Sequence, residues 1–169
     1  NNDGYFRCPV GLTLIMTILA KEGHDVKLFD TTFKATEDNL DSKLREKSGM
    51  VKPISMSHLY DKHSDKDLVD AWLKEINDFK PDLIAASVLE DAYPFCGTLL
   101  DAAKEKFNIP TVVGGVTPTL SPGIVIEHPS IDMLVVGEGE VAFKELVNAL
   151  KNKTPLSEVP NLWYKEKGQ

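Results

Sequence analysis

Apolar residues recur along this chain with two different rhythms, and the changes of rhythm outline its elements. Residues 10 to 22, VGLTLIMTILAKE, are apolar almost throughout and predict a mostly buried helix, which Gly23 ends. DVKLFD, Asp25 to Asp30, alternates as a short strand does. From Thr31 to Ser64 the pattern weakens, leaving a short helix near Glu37–Lys47 and a polar loop around Asp61–Asp65 as expectations. Helical spacing returns at residues 65 to 79, where Leu68, Val69, Trp72, Leu73, Ile76 and Phe79 share one face.

Beyond residue 80 strands and helices alternate. PDLIAASV predicts a buried strand (Asp82–Ser87), followed by a helix from Tyr93 to Phe107. IPTVVGG predicts the next strand (Thr111–Gly114), followed by an irregular segment from Ser121 to His128. IDMLVVG predicts the last (Asp132–Val136), with a helix over Glu140–Lys151. Continuous apolar strands separated by helices imply a parallel sheet covered on both faces, a doubly wound three-layer α/β/α arrangement. Such sheets normally start on a central strand, and none precedes the first helix. The expectation is therefore that the chain is cut from a larger protein, or that its first strand lies outside this numbering. Val51–His58 is the alternative source of a strand. Residues 1 to 154 read as one domain, and Pro155 to Gln169 as a strand or linker leading elsewhere.

Composition narrows the function classes without choosing one. The 169 residues are 42% hydrophobic and 27% charged, ordinary for a globular protein. Nineteen basic against 26 acidic residues give a net charge of −7, which argues against nucleic acid or an anionic membrane as partner. With neither a signal peptide nor a spanning run in the sequence, the expected location is cytoplasmic. Cys8 and Cys96 are too far apart in sequence to suggest a cysteine metal pair.

Motifs for serine hydrolysis, P-loop phosphate binding and G-x-G-x-x-G dinucleotide binding are missing. His24, His58, His63 and His128 form no metal-binding pair and read as solvated. Glu90 and Asp91 stand at a strand's C-terminal end, where acid–base chemistry is conceivable. Acidic residues also suit a helix N-terminus for dipole reasons alone. No catalytic residue is assigned. What remains are three loops on one rim: Ser87-Val88-Leu89, Gly114-Gly115, and Gly137-Glu138-Gly139-Glu140. The glycines there either make tight turns or admit a ligand against the backbone.

Strand–S-x-L, strand–G-G-x-x-(x)-T and strand–x-G-E-G-E, in that order, resemble the cobalamin-binding (B12-binding) domain, in the version that precedes a radical S-adenosylmethionine (SAM) domain. VVGGVTPTLSPGIVIEHPSIDMLVVGEGEVAFKELVNAL, residues 112 to 150, resembles that version throughout, and VPNLWYKEKG is similar to its linker toward the radical SAM barrel. The resemblance implies a flavodoxin-like (Rossmann-like) fold with cobalamin's nucleotide tail in a cleft of the sheet. It implies that Ser87 hydrogen-bonds the benzimidazole end and that Leu89 lines its pocket. Gly114, Gly115 and Thr117 would line the tail's path, Gly137, Glu138 and Gly139 would close its far side, and Val88, Glu90 and Val116 belong to the same loops. On this view a bulky residue at Gly115 should abolish cobalamin binding and leave the fold intact.

The family's D-x-H-x-x-G, whose histidine ligates cobalt, would fall on Phe6-Arg7-Cys8-Pro9-Val10-Gly11. Gly11 stays, but Phe6 and Cys8 replace the aspartate and histidine. The resemblance thus implies base-off cobalamin without a histidine from this chain, its lower face taken by water, by a side chain or by nothing. Cys8 reads as an inert cysteine rather than a thiolate ligand. SAM and a [4Fe-4S] cluster would belong to a downstream domain, since C-x-x-x-C-x-x-C is absent here. Two other readings stay open: a scaffold without cobalamin, its cleft filled by Phe6, Tyr93 or Phe95, and a domain for another nucleotide such as FMN.

Overall fold

The structure is a computed structural model that describes residues 10–31, 34–35, 47–49 and 61–166. The chain divides into two compact units, one of residues 1–8 and 28–78 and one of residues 9–27 and 79–169.

In the first unit, strands β1 (Lys34–Ala35) and β2 (Asp61–Lys62) pair in parallel over two residues each. Asp61 and Lys62 were expected in a loop; a parallel partner distant in sequence converts them, which local pattern does not reveal. Helix α2 (Asp65–Phe79) starts where its sequence says it should. Asp67 donates its N–H to Ser64 Oγ at 3.1 Å, and its carboxylate accepts the Ser64 N–H at 2.9 Å. This reciprocal cap satisfies donors that the first turn leaves unpaired. Leu68, Leu73 and Ile76 are buried on the predicted face, and the Trp72 ring meets Phe29 at 5.1 Å between centroids.

The second unit is built on a four-stranded sheet in the order β3 (Ile84–Ser87), β4 (Thr111–Gly114), β5 (Met133–Val135), β6 (Leu162–Tyr164). β3, β4 and β5 run parallel, with Ser87 opposite Gly114 and Val113 opposite Leu134. β6 returns antiparallel to β5, with Trp163 opposite Leu134. The sheet is therefore mixed rather than purely parallel. The stretch read as a strand or linker contributes this strand, which pairs within the domain's own sheet, and Val159 is buried in the core.

Alternation along each strand sends side chains to opposite faces. Val112, Met133 and Val135 point toward helices α1 (Val10–Lys21) and α6 (Glu140–Asn152), which pack on each other. Leu19, Ala142, Phe143, Leu146 and Ala149 complete that core, while Val113 and Leu134 are fully buried on the other face. Helix α3 (Tyr93–Lys106) buries a stripe of Gly97, Leu100 and Ala103. Two short helices, α4 (Val116–Leu120) and α5 (Pro122–Ile126), abut β4 and β5. Of the two, α5 replaces most of the Ser121–His128 segment expected to be irregular, because Pro122 at a first-turn position starts a new helix just after α4 ends.

Three further expectations are corrected. Helix α1 is not mostly buried: only Leu19 is, and Val10 is 71% exposed, because a single face of the helix meets the core. Along Asp25–Asp30 only Val26 and Phe29 are half-buried, with Leu28 exposed, and although Val26 packs on the core the segment joins neither sheet. A strand needs a neighbour for its ladder, and among the described residues β3 has one on its β4 side only. His128 is not solvated: its Nδ1 accepts the Ser130 N–H at 3.3 Å, and its ring lies so close to Gly97 that a Cβ there would stand 2.9 Å from Nε2. The predicted helix at Glu37–Lys47, save Lys47 itself, and the Val51–His58 alternative lie outside the described residues.

Polar groups pin the N-terminal ends of β4 and β5. Asp132 Oδ2 accepts from the Thr111 N–H at 2.8 Å and from Lys104 Nζ at 2.6 Å. Thr111 Oγ1, itself buried, donates to the Ser130 carbonyl at 2.7 Å and accepts the Asp132 N–H at 3.0 Å. Open depressions of about 350 and 660 Å³ lie away from the C-terminal strand ends, lined by Asp101, Lys104, Glu105 and Ser130 and by Ile126, Glu127, Tyr164, Lys165 and Glu166.

Candidate functional site

The C-terminal ends of three parallel strands bring the three predicted loops to one rim, where open α/β sheets hold their ligands. The first two loops interlock through backbone. Val88 donates its N–H to the Gly114 carbonyl at 2.9 Å, and its own carbonyl accepts the Thr117 N–H at 3.2 Å.

Gly115 sits at this junction with φ +105° and ψ −163°, a conformation essentially reserved for glycine. A Cβ there would meet Val88 N at 2.8 Å, Val88 O at 2.9 Å and Ser87 Oγ at 3.2 Å. What needs the missing side chain at Gly115 is thus the neighbouring backbone of this chain. The expectation that a bulky residue there would spare the fold is corrected accordingly.

The other glycines divide by the same criterion. At Gly114 a Cβ would meet nothing closer than Val135 O at 3.9 Å, so no packing forbids it. Gly137 has φ +84° and nothing within 4 Å. Gly137 faces open space that a ligand could use, whereas a Cβ at Gly114 would only touch Val135 at ordinary contact distance. Gly139 lets α1 approach, since its Cβ would come to 3.0 Å of Ile15 Cδ1. Glu138 and Glu90 are exposed, the latter in a 3-10 turn (Glu90–Ala92) beside Asp91.

Among the described residues, one buried side-chain polar atom has no partner. Thr117 Oγ1 is buried without a hydrogen bond, a state costing roughly 1–3 kcal/mol. Exposed apolar side chains stand in the segments that follow these strands: Leu89 after β3, Val116 and Leu120 at the two ends of α4, and Val141 in the first turn of α6. Donor-bearing glycine loops, an orphaned hydroxyl and exposed apolar side chains in the same segments fit a large ligand with a polar tail and a broad apolar body, as cobalamin is.

Thr119 is the residue that sequence reasoning missed. Its Oγ1 donates to the Gly115 carbonyl at 2.7 Å and accepts the Gly137 N–H at 2.9 Å. The G-G-x-x-x-T spacing contained this signal, a hydroxyl one helical turn beyond the glycine pair, but Thr117 was given the role.

Cys8 and Phe6 lie outside the described residues; Gly11 stands in the exposed first turn of α1. Cys96 is a free thiol whose pKa burial pushes up to about 11. It stays protonated and unreactive near neutrality. Because the folded value is the raised one, the stability tied to this thiol is lost as pH climbs from about 9 toward about 11. Tyr93, offered above as a cleft filler, stacks edge-on against His128 at 6.3 Å. Among the described residues no group of His, Cys, Asp and Glu could hold a metal ion, and no helix is long and apolar enough to cross a membrane.

The model of the B12 binding domain matches residues 56–147, and the chain belongs to that family. It is 29% identical over 163 residues to an uncharacterized methyltransferase of Pyrococcus horikoshii, covering 95% of this chain and 28% of that protein. It is 28% identical to the anaerobic magnesium-protoporphyrin IX monomethyl ester cyclase of a Synechocystis species, again covering 95% of this chain and 27% of the other. A solved structure of TsrM from Kitasatospora setae, a radical S-adenosylmethionine methyltransferase with cobalamin and a [4Fe-4S] cluster bound, shares the fold. That match has a TM-score of 0.68 at 19% identity and covers 99% of this chain and 26% of TsrM. The chain thus spans little more than a quarter of each relative.

Proposed function

We propose that this chain binds cobalamin at the C-terminal rim of β3, β4 and β5, base-off, as the cofactor-holding module of a cytoplasmic radical SAM enzyme. The observation that carries this reading is the buried, partnerless Thr117 Oγ1, on the same rim as the open backbone at Gly137. Ser87 and Thr117 offer hydroxyls to the nucleotide tail, and Leu89 offers apolar surface. The loop of Gly137, Glu138 and Gly139 bounds the other side. Leu120 and Val141 present apolar area to the corrin body.

Bound there, cobalamin supplies a cobalt centre able to accept a methyl group and pass it on. The protein binds, orients and excludes water. Methyl transfer, or the related ring-forming chemistry that the cyclase's name suggests, requires SAM and an iron–sulfur cluster from a downstream domain of the same polypeptide. The isolated chain is expected to be a binder without turnover.

Anaerobic titration with hydroxocobalamin or cob(II)alamin, followed by gel filtration and a visible spectrum, tests this. One equivalent should stay with the protein, with the absorption of the base-off form. FMN under the same conditions should not be retained. Retention of FMN, or of neither compound, would remove the reading.

A further inference from the structure

The hydroxyl of Thr119 does two jobs at once. It donates to the Gly115 carbonyl at 2.7 Å, and its lone pair accepts the Gly137 N–H at 2.9 Å. Gly115 belongs to the loop after β4 and Gly137 to the loop after β5, so one side chain ties together the two walls of the rim. Both glycines have positive φ, +105° and +84°. Gly115 is held against the Val88 backbone, whereas Gly137, with nothing within 4 Å of a Cβ, has the wider freedom of a glycine and is held through its N–H by Thr119. No other side-chain hydrogen bond among the described residues joins these two loops. Thr119 is half-buried in α4, whose main chain repeats the link to one wall through Thr119 N–H to the Gly115 carbonyl at 3.3 Å.

We infer that Thr119 is a positioning residue, a clasp that fixes the separation of the Gly114–Thr117 and Gly137–Gly139 loops and thereby sets the affinity of the rim for its corrinoid. The inference rests on the cobalamin reading for its ligand, though not for the clasp itself. The hydroxyl's one proton and one of its two lone pairs are used within the protein, and the inference assigns it no contact with the ligand. Thr117, whose hydroxyl is orphaned, has the opposite role. A preset spacing removes an ordering cost that two independent glycine loops would otherwise carry at binding.

Two variants of the whole chain and two readouts test the clasp. Thr119→Val keeps the shape and removes both hydrogen bonds; Thr119→Ser keeps the hydroxyl. In the ligand-free protein, amide hydrogen exchange at Gly137 should quicken about tenfold in Thr119→Val, as expected when one hydrogen bond is lost, and return toward the parent rate in Thr119→Ser. Val113 in β4 should exchange at the parent rate in both, which shows that the fold is retained. Cobalamin affinity, read from the visible spectrum, should fall about tenfold or more in Thr119→Val and recover in Thr119→Ser. Unchanged exchange at Gly137, or equal affinity of parent and Thr119→Val, overturns the clasp. So does equal weakness of both variants, which would place the effect in packing. If the parent itself retains no cobalamin, the ligand reading fails while the exchange arm still decides the clasp.

Discussion

Replacing Gly115 with alanine is expected to destabilise this protein by about 3 kcal/mol, and valine by more. Two costs add. Any L-residue at φ +105° and ψ −163° carries backbone strain on the order of 1–3 kcal/mol. The new Cβ would also press on the Val88 N and O at 2.8 and 2.9 Å, both of them backbone atoms held in place by bonds to Gly114 and Thr117. A flexible side chain could step aside; this backbone moves only by parting the ends of β3 and β4. Gly137→Ala is the comparison, with φ +84° but open space around it, and should cost about 1 kcal/mol. Urea unfolding of both variants checks the pair. A Gly115→Ala midpoint equal to the parent's would mean the junction is looser than described.

The opposite end of the same strands should be nearly as sensitive. Asp132→Ala removes the acceptor for the Thr111 N–H and for Lys104 Nζ. Thr111 is 1% exposed, so its N–H would be left buried and unpaired. An expected loss of about 2–3 kcal/mol follows from that orphaned donor. The ion pair adds little, since Lys104 and Asp132 are each about a third exposed. Asp132→Asn, which keeps an acceptor oxygen, should recover most of the loss. If Asn and Ala unfold at the same urea concentration, the carboxylate's charge matters and its bond to Thr111 does not.

These two ends also mark how far sequence alone could reach. The runs behind β3, β4 and α2, α3 and α6 carry their own rhythm, so periodicity locates them within a residue or two. β6 carries only three residues of signal, and its antiparallel direction depends on β5, 29 residues earlier at the Leu134–Trp163 pair. Asp25–Asp30 has a strand's alternation, but a strand is completed by a neighbour and none of the described strands lies beside it. Similarly, α1 is apolar enough to be enclosed, yet how many faces meet a core is a property of the assembly.

At the rim, the glycine positions were legible because φ restrictions leave few other residues possible there. Their reasons were not. Gly115 serves Val88, Gly139 serves Ile15, Gly114 sits at ordinary contact distance from Val135, and Gly137 faces open space. Which of two threonines two residues apart is tied and which is orphaned depends on side-chain direction, which the order of residues does not reveal.

That orphan gives the most direct test of the account. Thr117→Val keeps the volume and deletes the buried, unpaired Oγ1. In the ligand-free protein this should be neutral or stabilising by up to about 1 kcal/mol, since a desolvated group without a partner disappears. Cobalamin affinity should move the other way, falling about tenfold for one lost hydrogen bond. The measurement is a spectroscopic cobalamin titration of parent and Thr117→Val, with urea unfolding of both ligand-free proteins. Unimpaired stability with weakened binding is the predicted result. Equal cobalamin affinity in the two proteins would contradict the claim that this rim is built around a ligand at Thr117.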